Sequence, residues 1–461
     1  MSISHAFVVP HPPLIIPEVG KGEQRAIQKT VDALEWTGKK IAELKPETVI
    51  VVSPHAIMYG DYIHISPGES AKGDFGRFGA QKVSLHKQYD KALVHAIGEE
   101  AQEAGISAGT MGEKDSRLDH GTMIPLYFID HYFTDYNIVR ISISGLSALE
   151  HYRFGMCIRR AVDELDRNAV LVASGDLSHK LTGEGPYGFA KEGPEFDQQL
   201  TDALRTGDFL QLLRFEEDFT EAAAECGLRS FIEMAGVLDG CEVKSEFLSY
   251  EGPFGVGYAV CVFTVTGEDN VRRFAKQYEA EELSRLQAIK HSEDEYVGLA
   301  RQSLETYLKT GKSMKRPEGL PEDLTERSAG VFVSLKKHGR LRGCIGTISA
   351  TETCIADEII RNAISAGTGD PRFDPVEAGE LTELVYSVDV LGDAEPVSGT
   401  DELDAMRYGV IVSRGYRRGL LLPNLQGVDT PQQQISIALQ KAGISPDEKY
   451  TLERFEVVRH K

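Results

Sequence analysis

The sequence has few cysteines, and they do not occur at the short spacings that metal-binding and redox motifs use. Six cysteines are spread over 461 residues, and no two of them form a Cys-x-x-Cys motif. Zinc ribbons and iron–sulfur sites need clustered thiolates, and a chain of this length does not need a disulfide framework to fold. We therefore expect most of these cysteines to be small buried side chains.

Long apolar runs are missing as well. No run of apolar residues approaches the roughly 18 that a membrane-spanning helix needs, while the composition, 41% hydrophobic and 26% charged, is that of a globular protein. The first residues do not show the basic segment and the apolar segment of a secretion signal. We therefore expect a cytoplasmic protein that does not enter a membrane.

Basic residues are also fewer than acidic residues. The chain has 50 Lys and Arg against 71 Asp and Glu, which gives a formal net charge of −21 at pH 7. A field of that sign repels phosphate backbones and anionic lipids. Nucleic acids and membrane surfaces are therefore not expected partners, and we interpret the basic residues between 414 and 418 as a solvated turn.

What the first half does contain is a repeated pattern in which an apolar segment runs into a histidine. The segments 8–11, 48–55 and 170–179 end in His11, His55 and His179. Prolines on both sides of His11 restrict the backbone there, so its ring is held in a stiff loop. Because ligands of α/β sheets gather at the carboxyl ends of the strands, we expect these three histidines to form one site.

The order of the elements predicts two domains of different class. Strand-like and helical segments alternate over 1–267, which favours an α/β domain with helices on both faces of its sheet and the site at the strand carboxyl ends. The charged stretch 268–288 is predicted as a linking helix. Residues 289–461 are predicted as a smaller α+β domain, because their helical and extended segments do not alternate regularly.

The chemistry of clustered histidines leaves the metal open. Imidazoles suit Zn, Fe, Cu and Ni alike, whereas two histidines and one carboxylate with open positions are typical of non-haem Fe(II) oxygenases. A site of that kind needs only three protein ligands on one face, so a further polar group is free for proton transfer.

Four short motifs of the first half resemble the class III extradiol ring-cleavage dioxygenases. They are His-Pro-Pro-Leu at 11–14, Ser-Pro-His at 53–55, Asp-His-Gly at 119–121 followed by Pro-Leu at 125–126, and Gly-Asp-Leu-Ser-His at 175–179. The resemblance covers roughly residues 1–265. It implies an oxidoreductase that uses Fe(II), with zinc or another divalent metal as the alternative, to add dioxygen to a small phenolic substrate.

The same resemblance implies a role for each residue of the site. His11 and His55 would bind the metal, His179 would be the acid/base group, and His120 would lie in the substrate pocket. Asp176 is expected to orient His179.

The third metal ligand is harder to assign from the sequence. The best match to the family's glutamate is Glu225, within 222–231, and Glu221, one helical turn earlier, is the alternative. This segment and residues 174–179 also resemble the Memo family, which has a cysteine at the corresponding place. Cys226 therefore keeps open a second reading, a metal-binding accessory protein rather than an oxygenase.

The second half resembles the AMME syndrome candidate-gene family. The matching motifs are Leu-Arg-Gly-Cys-Ile-Gly-Thr at 341–347 and Asp-Pro-Arg-Phe at 370–373. The pairing of the two domains resembles the AmmeMemoRadiSam system proteins, which implies a functional association with a radical SAM enzyme. Within the first motif, Cys344 is interpreted as a packing residue, with a binding or redox role as the alternative.

Overall fold

The computed structural model of the protein describes residues 3–114, 116–425 and 427–461. The chain forms two units, of which the first ends at Glu281 and the second begins at Glu282. This division falls inside a helix, Phe274–Ser292, that overlaps most of the stretch predicted to link the two domains.

The first unit is built on strands and helices that alternate along the chain. Its strands are β1 (Ile3–Val9), β2 (Thr48–Ser53), β3 (Ile63–His64), β4 (Ser70–Phe75), β5 (Ala80–Gln88), β6 (Ala108–Gly109), β7 (Asn137–Ser142), β8 (Ala169–Ser174), β9 (Cys241–Glu251) and β10 (Tyr258–Glu268). Its helices are α1 (Pro17–Gly20), α2 (Gln28–Leu44), α3 (Lys91–Glu103), α4 (His120–Asp130), α5 (Ala148–Glu164), α6 (Glu192–Thr206), α7 (Phe209–Leu213), α8 (Glu217–Ala223), α9 (Leu228–Val237) and α10 (Phe274–Ser292).

The main sheet of this unit has the strand order β7-β2-β8-β1-β10-β9. Strands β7, β2, β8 and β1 are parallel to one another, whereas β10 is antiparallel to both β1 and β9. The carboxyl ends of β2, β8 and β1 are therefore adjacent at one edge. This placement follows the expectation that strands ending in histidine-bearing loops lie side by side.

Both faces of the sheet are covered, which explains the unbroken apolar runs of the parallel strands. All six residues of β2 are buried. Ile50 and Val52 pack into a core with α3, α5 and α9, while Val49 and Val51 pack into a second core with α2 and α4. The predicted α/β class, with helices on both faces, is confirmed.

The second unit has α11 (Glu295–Thr310), α12 (Glu322–Thr325), α13 (Ile355–Thr368) and α14 (Pro431–Ala442) with strands β11 (Val331–Lys337), β12 (Arg340–Gly346), β13 (Leu384–Leu391), β14 (Glu395–Pro396), β15 (Gly409–Arg414), β16 (Arg417–Leu421), β17 (Thr451–Phe455) and β18 (Val457–His460). The strands form two sheets with the orders β12-β11-β13-β18 and β14-β17-β15-β16, and neighbouring strands in both are antiparallel. The predicted α+β class is confirmed.

Cys344 lies on β12 of this unit. Its thiol accepts a hydrogen bond from the Ser334 hydroxyl at 3.1 Å, and burial raises its pKa. A thiol held neutral in this way favours the packing interpretation over a redox role.

None of the helices in the described ranges is both long and apolar enough to cross a membrane.

Two glycines allow α5 and α9 to cross closely behind the sheet. A Cβ built on Gly155 of α5 would lie 2.1 Å from the Glu233 carbonyl oxygen, and one built on Gly236 of α9 would lie 1.9 Å from the Tyr152 carbonyl oxygen. These contacts are with backbone atoms, so a side chain at either position forces the helices apart.

Replacing Gly155 with alanine should therefore destabilise the first unit by about 1–3 kcal/mol, the usual cost of overpacking. The matched control is Gly98→Ala in α3, where an added Cβ meets nothing closer than 4.0 Å, and a stabilisation of about 0.5–1 kcal/mol is expected. Urea unfolding followed by circular dichroism measures both. Equal stabilities of the two variants would contradict this account of the helix crossing.

Candidate metal centre

His11 is fixed in one tautomer by a short chain of hydrogen bonds. Its Nδ1 lies 2.9 Å from the hydroxyl of Ser174, the last residue of β8. That hydroxyl donates its own proton to the Gly121 carbonyl oxygen at 2.6 Å, so it can only accept from His11. The proton of the neutral imidazole is therefore on Nδ1, and Nε2 presents a lone pair to the site.

Gly121 can accept that bond because of a proline one helical turn later. In α4 the carbonyl of Gly121 would normally bond to the N–H of residue 125, but Pro125 has no N–H. The released carbonyl accepts from Ser174 instead. Gly121 must also be a glycine here, since a Cβ would lie 2.5 Å from the Ser53 hydroxyl.

His55 follows β2 and points at His11. The two Nε2 atoms are 3.0 Å apart, and the rings meet edge to face. The Ser53 hydroxyl accepts from the His55 N–H at 3.3 Å and donates to Asp119 at 2.6 Å, which ties this loop to the start of α4. His11 is buried whereas His55 is exposed, so the pair reaches from the interior to the surface of the site.

Cys226 is the third potential metal ligand, beside His11 and His55. Its sulfur lies 3.6 Å from His11 Nε2 and accepts a hydrogen bond from the Asp176 N–H at 3.3 Å. The two imidazoles and the thiol form a group whose potential ligand atoms all lie within 4.8 Å of one another. Burial raises the pKa of the Cys226 thiol well above its usual value.

These three groups fit a divalent metal. Metal–nitrogen bonds of about 2.0–2.1 Å and metal–sulfur bonds of about 2.3 Å in a tetrahedral site separate two nitrogens by about 3.3 Å and a nitrogen and a sulfur by about 3.6 Å. The observed separations are 3.0 and 3.6 Å. Two imidazoles and a thiolate are a donor set that suits zinc, iron or copper.

Glu225 is not part of this group. Its carboxylate accepts a hydrogen bond from the Leu228 N–H at 2.7 Å, at the first residue of α9, and burial raises its pKa to about 6. The alternative, Glu221, is exposed on α8. The assignment of Glu225 as a metal ligand stays a prediction. The structure adds the next residue, Cys226, whose sulfur lies within 4.8 Å of the ligand atoms of His11 and His55.

His179 is held by the end of α8. Its Nδ1 donates to the Ala224 carbonyl at 2.5 Å, and its backbone N–H donates to the Ala223 carbonyl at 3.2 Å. Ala224 has a left-handed backbone with φ of 53°, the conformation that ends a helix. With Nδ1 protonated, the neutral ring leaves Nε2 free to accept a proton, and burial lowers the pKa of His179.

The position of Asp176 corrects the expectation that it orients His179. The structure gives that role to the Ala224 carbonyl. Asp176 instead accepts from the His11 N–H at 2.8 Å, and its other oxygen lies 4.0 Å from His11 Nε2. Burial raises the pKa of Asp176 to about 7. Asp176 therefore holds the loop that carries His11 and is not the group that holds His179.

His120 lies against His55. The two rings are stacked with centroids 4.1 Å apart, and Asp119 caps the helix that begins at His120. Burial, followed by the neighbouring His55, lowers the pKa of His120 to about 4. A cavity of about 1420 Å³ opens beside His55 and His120, and the role of His120 in a substrate pocket stays a prediction.

Sequence reasoning missed the groups that hold the histidines. Ser53 and Ser174 are the last residues of β2 and β8, and both face the site through their hydroxyls. Each serine is the polar residue that ends an otherwise apolar strand, and this pattern could have identified both from the sequence. No such signal marks Ala224, since alanine does not indicate a left-handed turn.

The family model for the catalytic LigB subunit of aromatic ring-opening dioxygenase matches residues 5–261. The chain belongs to this family. The AMMECR1 family model matches residues 297–460. Both resemblances found in the motifs are therefore confirmed, and the two units are a LigB unit and an AMMECR1 unit.

Relatives share this architecture in whole or in part. A protein of Clostridium acetobutylicum is 45% identical over 471 residues, which cover the full length of both chains. A Thermotoga maritima protein is 49% identical over 171 residues, 37% of this chain and 98% of that protein. The crystal structure of the uncharacterized protein PH0010 from Pyrococcus horikoshii is 33% identical with a TM-score of 0.33, and covers 36% of this chain and 88% of that chain.

Metal content should depend on His11, His55 and Cys226. We expect His11→Ala, His55→Ala and Cys226→Ala each to lose bound metal after anaerobic metal loading, as measured by elemental analysis, while Cys241→Ala, a buried cysteine on β9, retains it. Glu225→Gln keeps an acceptor for the Leu228 N–H and should also retain metal. Loss of metal from Glu225→Gln with retention in Cys226→Ala would make the carboxylate the third ligand.

Removing the hydroxyl of Ser174 should weaken metal binding without removing a ligand. In Ser174→Ala the Nδ1 of His11 loses its partner, so the proton can move to Nε2 and block the lone pair. We expect metal affinity to fall about 10–100-fold, as for other groups that orient metal-bound histidines. Ser142→Ala, at the end of β7, which is separated from β8 by β2, is the control, and an equal loss there would contradict the argument.

Proposed function

We propose that the LigB unit is a metal-dependent dioxygenase that opens a small phenolic ring, with Fe(II) as its metal. The observation that carries the proposal is the grouping of a His-His-Cys donor set with His120, which stacks on His55 beside one large cavity, and with His179, which lies close enough to interact electrostatically with His11 and His55. A structural metal site needs no adjoining cavity and no free base. The present arrangement offers both, which supports catalysis over a purely structural role.

Fe(II) held by His11, His55 and a third donor at Cys226 or Glu225 would supply the electron transfer between substrate and dioxygen. Iron is favoured over zinc in this proposal because zinc has no redox chemistry. The protein's own contribution is to fix the ligands and to move protons.

His179 is the acid/base group of the proposal. Its Nδ1–H is held by the Ala224 carbonyl, so Nε2 can take the proton of a phenolic hydroxyl and return it later. Burial keeps the ring neutral near pH 7, since it lowers the pKa of His179. A neutral imidazole is the form that a general base requires.

His120 positions the substrate. Its ring is neutral because of its lowered pKa, and its stacking on His55 fixes its plane at the cavity wall. The ring can therefore offer one hydrogen bond and a flat apolar surface to an aromatic substrate without adding charge.

A second function is favoured by one observation, the thiol at the site. Two imidazoles and a cysteine resemble the Memo relatives more than the two histidines and carboxylate of an oxygenase. Together with the AMMECR1 unit, this supports a metal-binding accessory protein that works with a radical SAM enzyme.

The test of the first function is oxygen consumption by the iron-loaded full chain with a panel of catechols. We expect His179→Gln to lower kcat by about 10²–10⁴-fold, the usual contribution of a general base, with iron content unchanged. The matched control is His95→Gln, an exposed histidine on α3, which should keep full activity.

Absence of catechol-dependent oxygen uptake by fully iron-loaded protein would reject ring cleavage of that substrate class. A stable complex with the radical SAM enzyme under reducing, anaerobic conditions would then support the accessory function. Failure to co-purify with that enzyme would count against it.

A further inference from the structure

One acidic side chain behind the main sheet is buried without a hydrogen-bond partner. Glu233 lies on α9, the helix that crosses α5, and its side chain is fully buried. Neither of its carboxylate oxygens has a hydrogen-bond partner within the described ranges. A buried carboxylate without a partner loses its hydration and gains no contact in return, so burial raises the pKa of Glu233 well above its usual value. This position therefore favours the uncharged carboxylic acid.

His151 of α5 is the ionisable side chain that faces Glu233. Its Nε2 lies 3.9 Å from a carboxylate oxygen of Glu233, and its ring is fully buried. Nδ1 donates to the Ser147 carbonyl at 2.9 Å, and Nε2 accepts from the Ser144 N–H at 3.1 Å. Both ring nitrogens are thus engaged in the neutral form of the imidazole, which offers no positive charge to Glu233.

The other elements that pack against α9 do not supply a compensating charge. Strands β2 and β8 and helix α7 contain no ionisable residue. On α5 the remaining ionisable side chains bond to other groups or, at Glu164, are exposed: Glu150 bonds to Ser147, Tyr152 to Asp239, Arg153 to Glu279, Cys157 to the Arg153 carbonyl, Arg159 to Asp163 and Arg160 to Glu100. Arg229, on α9 itself, pairs with Glu217.

Glu233 is on the helix that leads out of the candidate metal centre. This helix, α9, begins at Leu228, two residues after Cys226. The N–H of Gly227, between them, donates to the Asp176 carbonyl at 3.0 Å. Because a helix moves as a stiff unit, a displacement of α9 at Glu233 also displaces the Cys226 sulfur.

The loop between β7 and α5 connects His151 to the segment that follows His55. His151 holds the N–H of Ser144 in this loop. The next residue, Gly145, donates its own N–H to the Tyr59 carbonyl at 3.0 Å. A Cβ built on Gly145 would lie 2.4 Å from the Gly60 carbonyl oxygen, so the two segments are in close backbone contact. A movement of Ser144 is therefore transmitted toward His55.

We infer that Glu233 holds a proton in the folded protein, and that loss of this proton to solvent at alkaline pH lowers the metal affinity of the candidate metal centre. An ionised Glu233 has to recruit a hydrogen-bond donor or reach water. Recruiting the Ser144 N–H breaks its bond to His151, and opening to water separates α9 from α5. Both responses move a segment that carries a residue of the metal centre. Glu233 and His151 thus form a pH-sensitive switch that lies apart from the ligands.

The direction of the pH dependence follows from burial. The unfolded chain releases the Glu233 proton near the ordinary pKa of 4.5, and the folded chain releases it at higher pH. The stability that this proton provides is complete below the unfolded-state pKa and is lost as the pH rises through the folded-state pKa. Between the two pKa values the folding equilibrium constant falls about tenfold for each pH unit.

Infrared difference spectroscopy of the full chain detects the proton directly. A protonated carboxyl has a C=O stretching band that ionisation removes. We expect the unsubstituted chain at pH 7 to show this band relative to Glu233→Gln, and the band to disappear as the pH is raised toward about 8–9, where buried glutamates are known to titrate. The matched control, Glu164→Gln, changes an exposed residue at the end of α5 and should give no such difference. Absence of the band at pH 7, or its persistence until the chain unfolds, would overturn the inference.

Competition with a chromophoric chelator then measures the affinity for Zn²⁺ at pH 7 and at about one pH unit above the midpoint of the infrared titration. Comparison with Glu233→Gln cancels the titration of the ligands themselves. We expect the affinity of the unsubstituted chain to fall about tenfold relative to this variant between the two pH values, a common size for coupling between sites, and Glu164→Gln to behave as the unsubstituted chain.

Glu233→Met, which also lacks an ionisable group, replaces the glutamine variant if circular dichroism shows that the latter does not fold. A relative affinity that does not change with pH would overturn the coupling. Neither measurement involves dioxygen, so this inference and the proposed dioxygenase can fail independently.

Discussion

The site depends on the carbonyl of Gly121 and on the proline that frees it. Pro125 has no N–H to donate, so the carbonyl accepts from the Ser174 hydroxyl. That hydroxyl must then accept from His11 Nδ1, and the Nε2 lone pair of His11 is left for the site. The start of α4, the end of β8 and the loop after β1 are joined in this way by one chain of hydrogen bonds. Pro125, a residue type that normally breaks helices, thus fixes the protonation of a candidate metal ligand.

Burial sets the charge state of the acidic groups around His11. The pKa values of Asp176 and Cys226, which contact His11, and of Glu225, the neighbour of Cys226 in the chain, are all raised by burial, because a charged group loses its hydration in the interior. A bound cation offsets that loss for whichever of these groups contacts it, and a coordinating thiol is deprotonated outright. The crowding of acidic groups around two neutral imidazoles therefore favours occupation by a cation.

The sequence was sufficient for the fold class and for the position of the histidines. Apolar runs that end in histidine identify parallel strands and the edge where they meet, because hydrophobic periodicity and the residue types of turns are properties of short stretches of sequence. The third ligand was beyond that reasoning. Glu225 and Cys226 are neighbours in the chain, and only the folded structure shows that the Cys226 sulfur lies 3.6 Å from His11 Nε2. The role expected for Asp176 was wrong for a related reason. The group that holds His179 is a backbone carbonyl, that of Ala224, and the pattern of side chains does not indicate it.

The basic residues that line the cavity, Lys72, Arg77, Arg117 and Arg140, also limit what net charge can say about partners. A formal charge of −21 governs approach to large polyanions, whose many phosphates interact with the whole surface. At physiological ionic strength the field of a charge is screened within about 8 Å. A small anion inside the cavity therefore responds to these four cations and to Asp74 and Asp119, which line the same cavity, and hardly at all to carboxylates on the far side of the protein. Low-dielectric walls strengthen that local field further. The net charge of an acidic protein therefore does not decide how one of its cavities responds to a small anion, because the two effects arise from different residues.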